Sequence, residues 1–225
     1  MSKNTRTRIL LTAVAALLLV CVAVGGTIAF LQAESTTVTN TFTPTGIAIK
    51  LEESTYKPED NTLIEPKITT GNTYELVPGK NLPKDPVVTV LDDETDVDLF
   101  VFLNVDKDWT LVEGETHKFY FNSQPDITFT VDTAWKVVPN QTHVFYTTWA
   151  NNSDSDAFNV IKDTTVYVDN TLTETDMATI PEAGIELSFH AYAIQQLGFE
   201  NDPAAAWDEV KTRAIDKGTI LYGEI

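Results

Sequence analysis

The run Leu99-Phe100-Val101-Phe102-Leu103 decides the fold, because it is apolar at every position. A strand with one solvated face alternates apolar and polar residues, whereas a strand that is covered on both faces does not alternate. The run therefore predicts a central β-strand over Leu99–Val105 that other parts of the chain cover on both sides.

The segments on either side of this run are typical of further short strands. Ile47, Ile49 and Leu51 alternate with Ala48 and Lys50, which is the pattern of a half-buried strand. Pro and Gly residues separate the other runs of β-forming residues. The remaining predicted strands are 37–43, 73–77, 87–91, 118–121, 127–131, 135–138, 143–149, 164–168 and 185–194.

One helix is predicted near the C-terminus. Asp202 is a suitable N-cap, Pro203 fits the first helical position, and 204–215 continue to the stop signal at Gly218. Many short strands with one late helix predict an all-β protein. We expect a jelly-roll-like β-sandwich with one or two short helices, preceded by a signal-peptide helix.

The first residues are typical of a secretory signal peptide over residues 1–29. Three basic residues precede an apolar run over 9–24, which is shorter than the ~20 apolar residues of a bilayer span. Thr27 and Ala29 occupy the positions where signal peptidases prefer small residues, so we predict cleavage between Ala29 and Phe30. The alternative is an uncleaved N-terminal anchor.

Composition narrows the classes of function. After cleavage the chain would carry 12 basic and 33 acidic residues, a net charge of −21, and no cysteine, because Cys21 is the only one. Nucleic-acid binding depends on Lys and Arg, so no nucleic-acid partner is expected. An exported chain without disulfides fits a Gram-positive bacterium better than a eukaryotic secretory route.

Three stretches carry a resemblance to a known family. They are the N-terminal 25–30 with 38–43 and 47–51, the turn region 76–86 with Pro78-Gly79 and Lys84-Asp85, and the late strand 185–195. Together they resemble the TasA/camelysin family, whose members are exported with a signal peptide that the SipW-type signal peptidase removes. The resemblance implies a secreted protein of the extracellular matrix or cell surface that polymerises into biofilm-matrix fibres.

In fibres of the TasA type, the mature N-terminal segment becomes a strand of the next subunit. Residues 30–43 suit such a donor strand, since they contain no Pro or Gly and one charge, at Glu34. Its expected anchors are Phe30, Leu31, Val38 and Phe42, and 44–225 would form the sandwich domain. The expected partner is the chain itself, as a head-to-tail homopolymer, with a related matrix protein as a second possibility. The alternative is that 38–43 form the first strand of their own domain.

Enzymatic activity is not expected. Camelysin has been classed with metalloendopeptidases, but the sequence lacks His-Glu-x-x-His, and His117, His143 and His190 are far apart along the chain. No nucleophile elbow or phosphate-binding glycine loop is present. A monomeric cell-surface or carbohydrate-binding module, with exposed Trp side chains as its platform, is a further alternative.

No cofactor is expected, with calcium as the one ion to consider. Asn152, Asp154, Asp156 and Asp163 follow the spacing of a hand-type calcium loop. Ala157 stands where that loop requires Gly, and Asp163 where it has Glu. The acidic residues between 92 and 98 are interpreted as a solvated turn.

Overall fold

A computed structural model describes residues 47–91, 95, 97–122, 124–151, 153–181, 184–199 and 201–216. The predicted signal peptide, the cleavage site at Ala29 and Phe30, and the segment 30–43 lie outside these residues. All described residues belong to one unit of internal contacts, Pro44–Ile225. Among the described residues, no helix is both long and apolar enough to cross a bilayer.

The described part of the chain consists mainly of short strands. In chain order they are β1 Ile49–Lys57, β2 Thr62–Ile68, β3 Leu82–Pro83, β4 Val87–Val90, β5 Leu99–Val105, β6 Trp109–Leu111, β7 Lys118–Phe121, β8 Gln124–Thr130, β9 Lys136–Val137, β10 Val144–Trp149, β11 Ala157–Asn159, β12 Thr165–Val168 and β13 Phe189–Gln195. Two helices, α1 Glu174–Met177 and α2 Pro203–Asp216, and a 3-10 turn at Lys162–Thr164 complete the fold.

The strands form three antiparallel sheets. Sheet I has the order β11-β4-β1-β2, sheet II the order β13-β5-β10-β9, and sheet III the order β3-β12-β8-β7-β6. The predicted all-β sandwich with short helices is therefore confirmed.

Strand β5 is the centre of the molecule, as its composition predicts. It pairs with β10 along one edge and with β13 along the other, and all seven of its residues are buried. One face, which includes Val101 and Leu103, packs into a core shared with sheets I and III. The other face presents Phe100 and Phe102 to Trp207 of α2. This arrangement confirms the predicted central strand.

Helix α2 begins as the sequence predicts. The Asp202 carboxylate accepts hydrogen bonds from the backbone N–H groups of Ala204 and Ala205, at 3.0 and 3.1 Å. Ala206, Trp207 and Val210 are buried against sheet II. The helix thus supplies the second cover of β5.

The sequence-based assignment omits β2, β3, β6 and β11, and its strand 185–194 begins only at Phe189. Strand β2 escaped prediction because Glu65, Pro66 and Lys67 interrupt its apolar pattern, and an edge strand tolerates such residues. The predicted strand 73–77 pairs with no described strand. Residues 73–77 do alternate exposed and partly buried side chains, but they line a groove and do not pair with a described strand.

Candidate functional site

Two segments beside strand β13 have the side-chain pattern of strands but no partner strand. Residues 71–77 alternate exposed and partly buried side chains along their whole length, and 184–187 do the same. Alternation with a period of two is the property of an extended backbone. Neither segment belongs to a ladder among the described residues.

A groove runs between these two segments. Its larger part is a cavity of about 630 Å³, whose apolar lining includes Leu82, Trp109, Ile127 and Val166. A second cavity of about 370 Å³ continues it past β1 towards His190. The two cavities share Thr70, Gly71, Lys84 and 186–188, so we treat them as one groove.

The groove borders two sheet edges that no other described strand covers. Among the described strands, β13 pairs only with β5 and stands last in the order of sheet II. Residues 49–52 of β1 pair with β4, whereas β2 pairs with β1 only from Glu53 onwards. Leu51 and Glu52 line the groove at this uncovered stretch. These stretches of β1 and β13 border the groove.

Several backbone N–H groups of the two walls have no hydrogen-bond partner in the described part of the chain. No backbone N–H of residues 73–77 or 185–188 donates to another described residue. Residues 184–188, the rear wall of the groove, are nevertheless held in place, since the Trp109 indole N–H donates to the Glu186 carbonyl at 2.9 Å. The Asp106 N–H donates to the Ser188 carbonyl at 3.2 Å. Buried backbone N–H groups normally have partners, so open ones beside a groove mark a place for a strand or for water.

A buried polar network fastens residues 71–77, the front wall of the groove, to sheet I. The Lys84 ammonium lies 2.7 Å from the Glu53 carboxylate, and the two side chains are 11% and 7% exposed. The Asn72 amide donates to Glu53 Oε1 at 2.9 Å and to the Ser54 carbonyl at 2.8 Å, and Asn72 Oδ1 accepts from the Tyr56 N–H. This network fixes the position of 71–77 relative to β1.

Two further side chains complete the network. Asp85 accepts hydrogen bonds from the backbone N–H and the hydroxyl of Ser54, at 2.9 and 2.7 Å. The Lys84 ammonium lies 5.7 Å from the centre of the Tyr74 ring. Burial raises the pKa of the Tyr74 hydroxyl, and the negative charges of Glu53 and Asp85 raise it further. The hydroxyl of Tyr74 therefore remains a proton donor at physiological pH.

The structure brings together two of the stretches quoted for the resemblance. Lys84 and Asp85 belong to the network under the front wall, and 185–195 form the rear wall and β13. The donor residues Phe30, Leu31, Val38 and Phe42 lie outside the described residues. Sequence reasoning missed Glu53 and Asn72, since their partners are distant along the chain.

The structure describes three of the four calcium candidates, Asp154, Asp156 and Asp163. Position six of a hand-type calcium loop turns sharply, but Ala157 at this position begins strand β11. The Asp156 carboxylate accepts a hydrogen bond from the Trp149 indole at 2.9 Å, Asp154 is exposed, and Asp163 lies in the 3-10 turn. Asn152 is outside the described residues. Within the described ranges, no three His, Cys, Asp or Glu side chains cluster as metal ligands.

The histidines have separate structural surroundings. His117 bonds to the Trp135 carbonyl and His143 to the Trp109 carbonyl, each through Nε2 at 2.8 Å. His190 lies at the end of the groove, where burial lowers its pKa and the charge of Asp106 raises it in part.

The tryptophan platform considered as an alternative is not formed. Trp109, Trp135, Trp149 and Trp207 are each at most 1% exposed. Their indole faces belong to the two cores, and the aromatic residues of the sequence are mostly core, as predicted.

Comparison with known proteins gives no further guide. No family model matches the chain, no curated protein matches it, and no solved structure matches its fold.

Proposed function

We propose that this protein is a secreted structural subunit of extracellular fibres in the biofilm matrix of a Gram-positive bacterium. In this proposal, residues 30–43 of one copy enter the groove of the next copy as an added strand. The matrix location and the export by a SipW-type peptidase rest on the resemblance to the TasA/camelysin family. The assembly mechanism rests on the groove.

The single observation that carries the proposal is that neither wall of the groove pairs with a described strand. Backbone N–H groups of 73–77 and 185–188 have no partner among the described residues. The two walls flank an apolar floor that includes Trp109 and Leu82. Addition of a strand at open edges supplies backbone hydrogen bonds for affinity and side-chain pockets for register. The groove offers both.

The segment 30–43 has the properties of such a strand. Six of the seven residues from Thr36 to Phe42 are Thr, Val or Phe, and the one charge of the segment is at Glu34. The rear wall and the start of β13, 184–190, would extend roughly 23 Å at about 3.3 Å per residue. Fourteen residues are therefore enough to fill the groove and to leave a short connection to Ile47.

Exchange between copies would produce a filament. The donated segment and the groove are different surfaces, so each copy carries one of each. A contact between two different surfaces repeats without limit unless the rotation closes a ring. Backbone pairing at each junction would then join sheets of successive subunits.

A crosslinking experiment tests the proposal directly. The chain that starts at Phe30 has no cysteine, so Val38→Cys with Thr70→Cys introduces one thiol in the donor segment and one at the groove. A short bifunctional maleimide should convert assembled protein into a ladder of covalent multimers on a denaturing gel.

A matched variant serves as the control. Val38→Cys with Tyr167→Cys places the second thiol on sheet III, away from the groove, and should give no ladder. Crosslinking of the first variant within single chains only would contradict exchange between copies. Filaments of normal appearance from a chain that lacks 30–43, seen by negative-stain microscopy, would also contradict it.

A further inference from the structure

The two faces of sheet III carry different kinds of side chain. Its inner face carries Phe119, Ile127, Phe129 and Val166, which are all buried. The outer face carries polar and aromatic side chains, with no aliphatic residue among the paired positions Thr110, Lys118, Tyr120, Thr128, Thr130 and Tyr167. This face is therefore a polar surface with tyrosine rings on it.

The two tyrosines of this face, Tyr120 and Tyr167, are held in register. Tyr167 of β12 and Tyr120 of β7 both pair with Thr128 of β8, one from each side. Directly paired residues project from the same face of a sheet. Since neighbouring strands are about 4.8 Å apart, the two tyrosines rise from positions about 10 Å apart, with the smaller Thr128 between them. The result is a shallow trough with an aromatic ring on each side.

A polar cavity adjoins this trough. It has a volume of about 440 Å³, and its lining includes Asn81, Asp126, Tyr167 and Asp169. The side chain of Tyr167 is 39% exposed. Asn81 is held by a hydrogen bond from the Val168 N–H to its Oδ1 at 3.2 Å, which orients its amide. Asp169 accepts two hydrogen bonds from Thr171, which lower its pKa.

Charge limits the ligands that fit. The cavity lining has one lysine, Lys118, and two aspartates, Asp126 and Asp169. The whole chain has a net charge of −18. A polyanion would be repelled by the protein as a whole and would find only one cation here. An uncharged occupant meets no such repulsion, and it can offer apolar faces to the rings and hydroxyl groups to the amide and carboxylates.

We propose that the outer face of sheet III binds a neutral polysaccharide chain. A pyranose ring presents C–H groups on its faces and hydroxyl groups around its rim. The C–H faces would stack on Tyr120 and Tyr167, while the rim hydroxyls would donate to Asp126 and accept from the Asn81 amide. A few placed polar groups beside aromatic surface are the usual composition of a small-molecule site. This site is independent of the groove beside β13.

Affinity electrophoresis of the purified protein tests this inference. The gels contain, one at a time, a β-1,3-glucan, hydroxyethyl cellulose, soluble starch and glycol chitin, with alginate as the anionic probe. At least one neutral polymer should retard the wild-type protein, and alginate should not. The double variant Tyr120→Thr with Tyr167→Thr keeps β-branched side chains on the sheet, and it should raise the dissociation constant at least tenfold.

A matched control separates binding from folding. Leu197→Thr changes a side chain that is 82% exposed and lies outside sheet III, so it should leave retardation unchanged. Thermal unfolding of the three proteins should agree closely, and filaments of the double variant should look normal. The inference is overturned if no neutral polymer retards the wild type, if alginate retards it equally, or if the double variant binds like the wild type.

Discussion

Strand β5 and the wall 71–77 are both extended, but they differ in what surrounds their backbones. β5 pairs along both edges and is covered on both faces. The wall pairs along neither edge among the described residues and is held by side chains, above all Asn72. Local stability follows the number of buried contacts and paired backbone groups. The difference predicts a rigid centre beside a groove wall that has capacity to bind a strand.

Hydrogen exchange should show the largest effect. Amides of β5 should exchange only when the whole domain unfolds, whereas those of 73–77 should exchange at least about a thousandfold faster. Mass spectrometry of peptides from the two segments measures both rates. In assembled fibres the wall should become protected while β5 stays unchanged. Equal protection of both segments in the monomer would remove the distinction between them.

Core truncation should separate the two regions by free energy. Phe102 is fully buried on β5 and its ring centre lies 5.3 Å from that of Trp207. Phe102→Ala should lower the free energy of unfolding by about 3–5 kcal/mol in urea titrations. Val77→Ala, in the wall and 38% exposed, should cost less than about 1 kcal/mol. A similar cost for both would mean that the wall is part of the core.

The Lys84–Glu53 pair tests how the wall is fastened. Lys84→Met would leave the Glu53 carboxylate buried without its cation, and should lower the free energy of unfolding by about 3 kcal/mol. The double variant Lys84→Met with Glu53→Leu should recover part of this loss, because no uncompensated charge remains. Lys57→Met, which breaks the exposed pair with Asp60, should cost less than about 1 kcal/mol. A large loss in the exposed pair and none in the buried pair would contradict this account.

The sequence predicts strand β5 better than it predicts the wall 71–77. The central position of β5 follows from five apolar residues in a row, and the start of α2 follows from Asp202 and Pro203. Both are local signals. The pattern of 73–77 is also local and predicts a strand, but whether a strand finds a partner depends on the rest of the fold. The groove could not be predicted, because its walls are more than one hundred residues apart in the chain.

The polar network shows the same limit for single residues. Lys84 and Asp85 stand out in the sequence as an adjacent pair, but nothing local indicates that one binds Glu53 and the other Ser54. These partners are 31 residues away. Short sequence patterns do not specify such contacts, and only the register of β1 against β4 brings them together.

The turn after the wall gives a smaller, steric test. Gly79 has φ of +76°, and a Cβ there would lie 3.2 Å from the Asn170 Cβ. Gly79→Ala should lower the free energy of unfolding by about 2 kcal/mol, from the left-handed backbone and the close approach together. Gly114 has φ of +81°, and a Cβ added there would meet nothing within 4 Å. Gly114→Ala should therefore lower the free energy of unfolding only through the left-handed backbone, by about 1 kcal/mol. Equal costs would show that the contact with Asn170 relaxes freely.

The smallest expected effect is the pH response at His190, where the groove meets β13. Burial lowers the pKa of His190 below 6.5, and Asp106 opposes this shift. The unfolded chain then binds a proton more readily than the folded one, so stability is full above pH 6.5 and falls as the pH falls through it. His190→Gln should flatten the unfolding free energy between pH 8 and pH 5 in urea titrations. Asp106→Asn should steepen the loss near pH 6, because it removes the charge that favours the protonated imidazole. A response of the same sign in both variants would show that another group controls the pH dependence of this end of the groove.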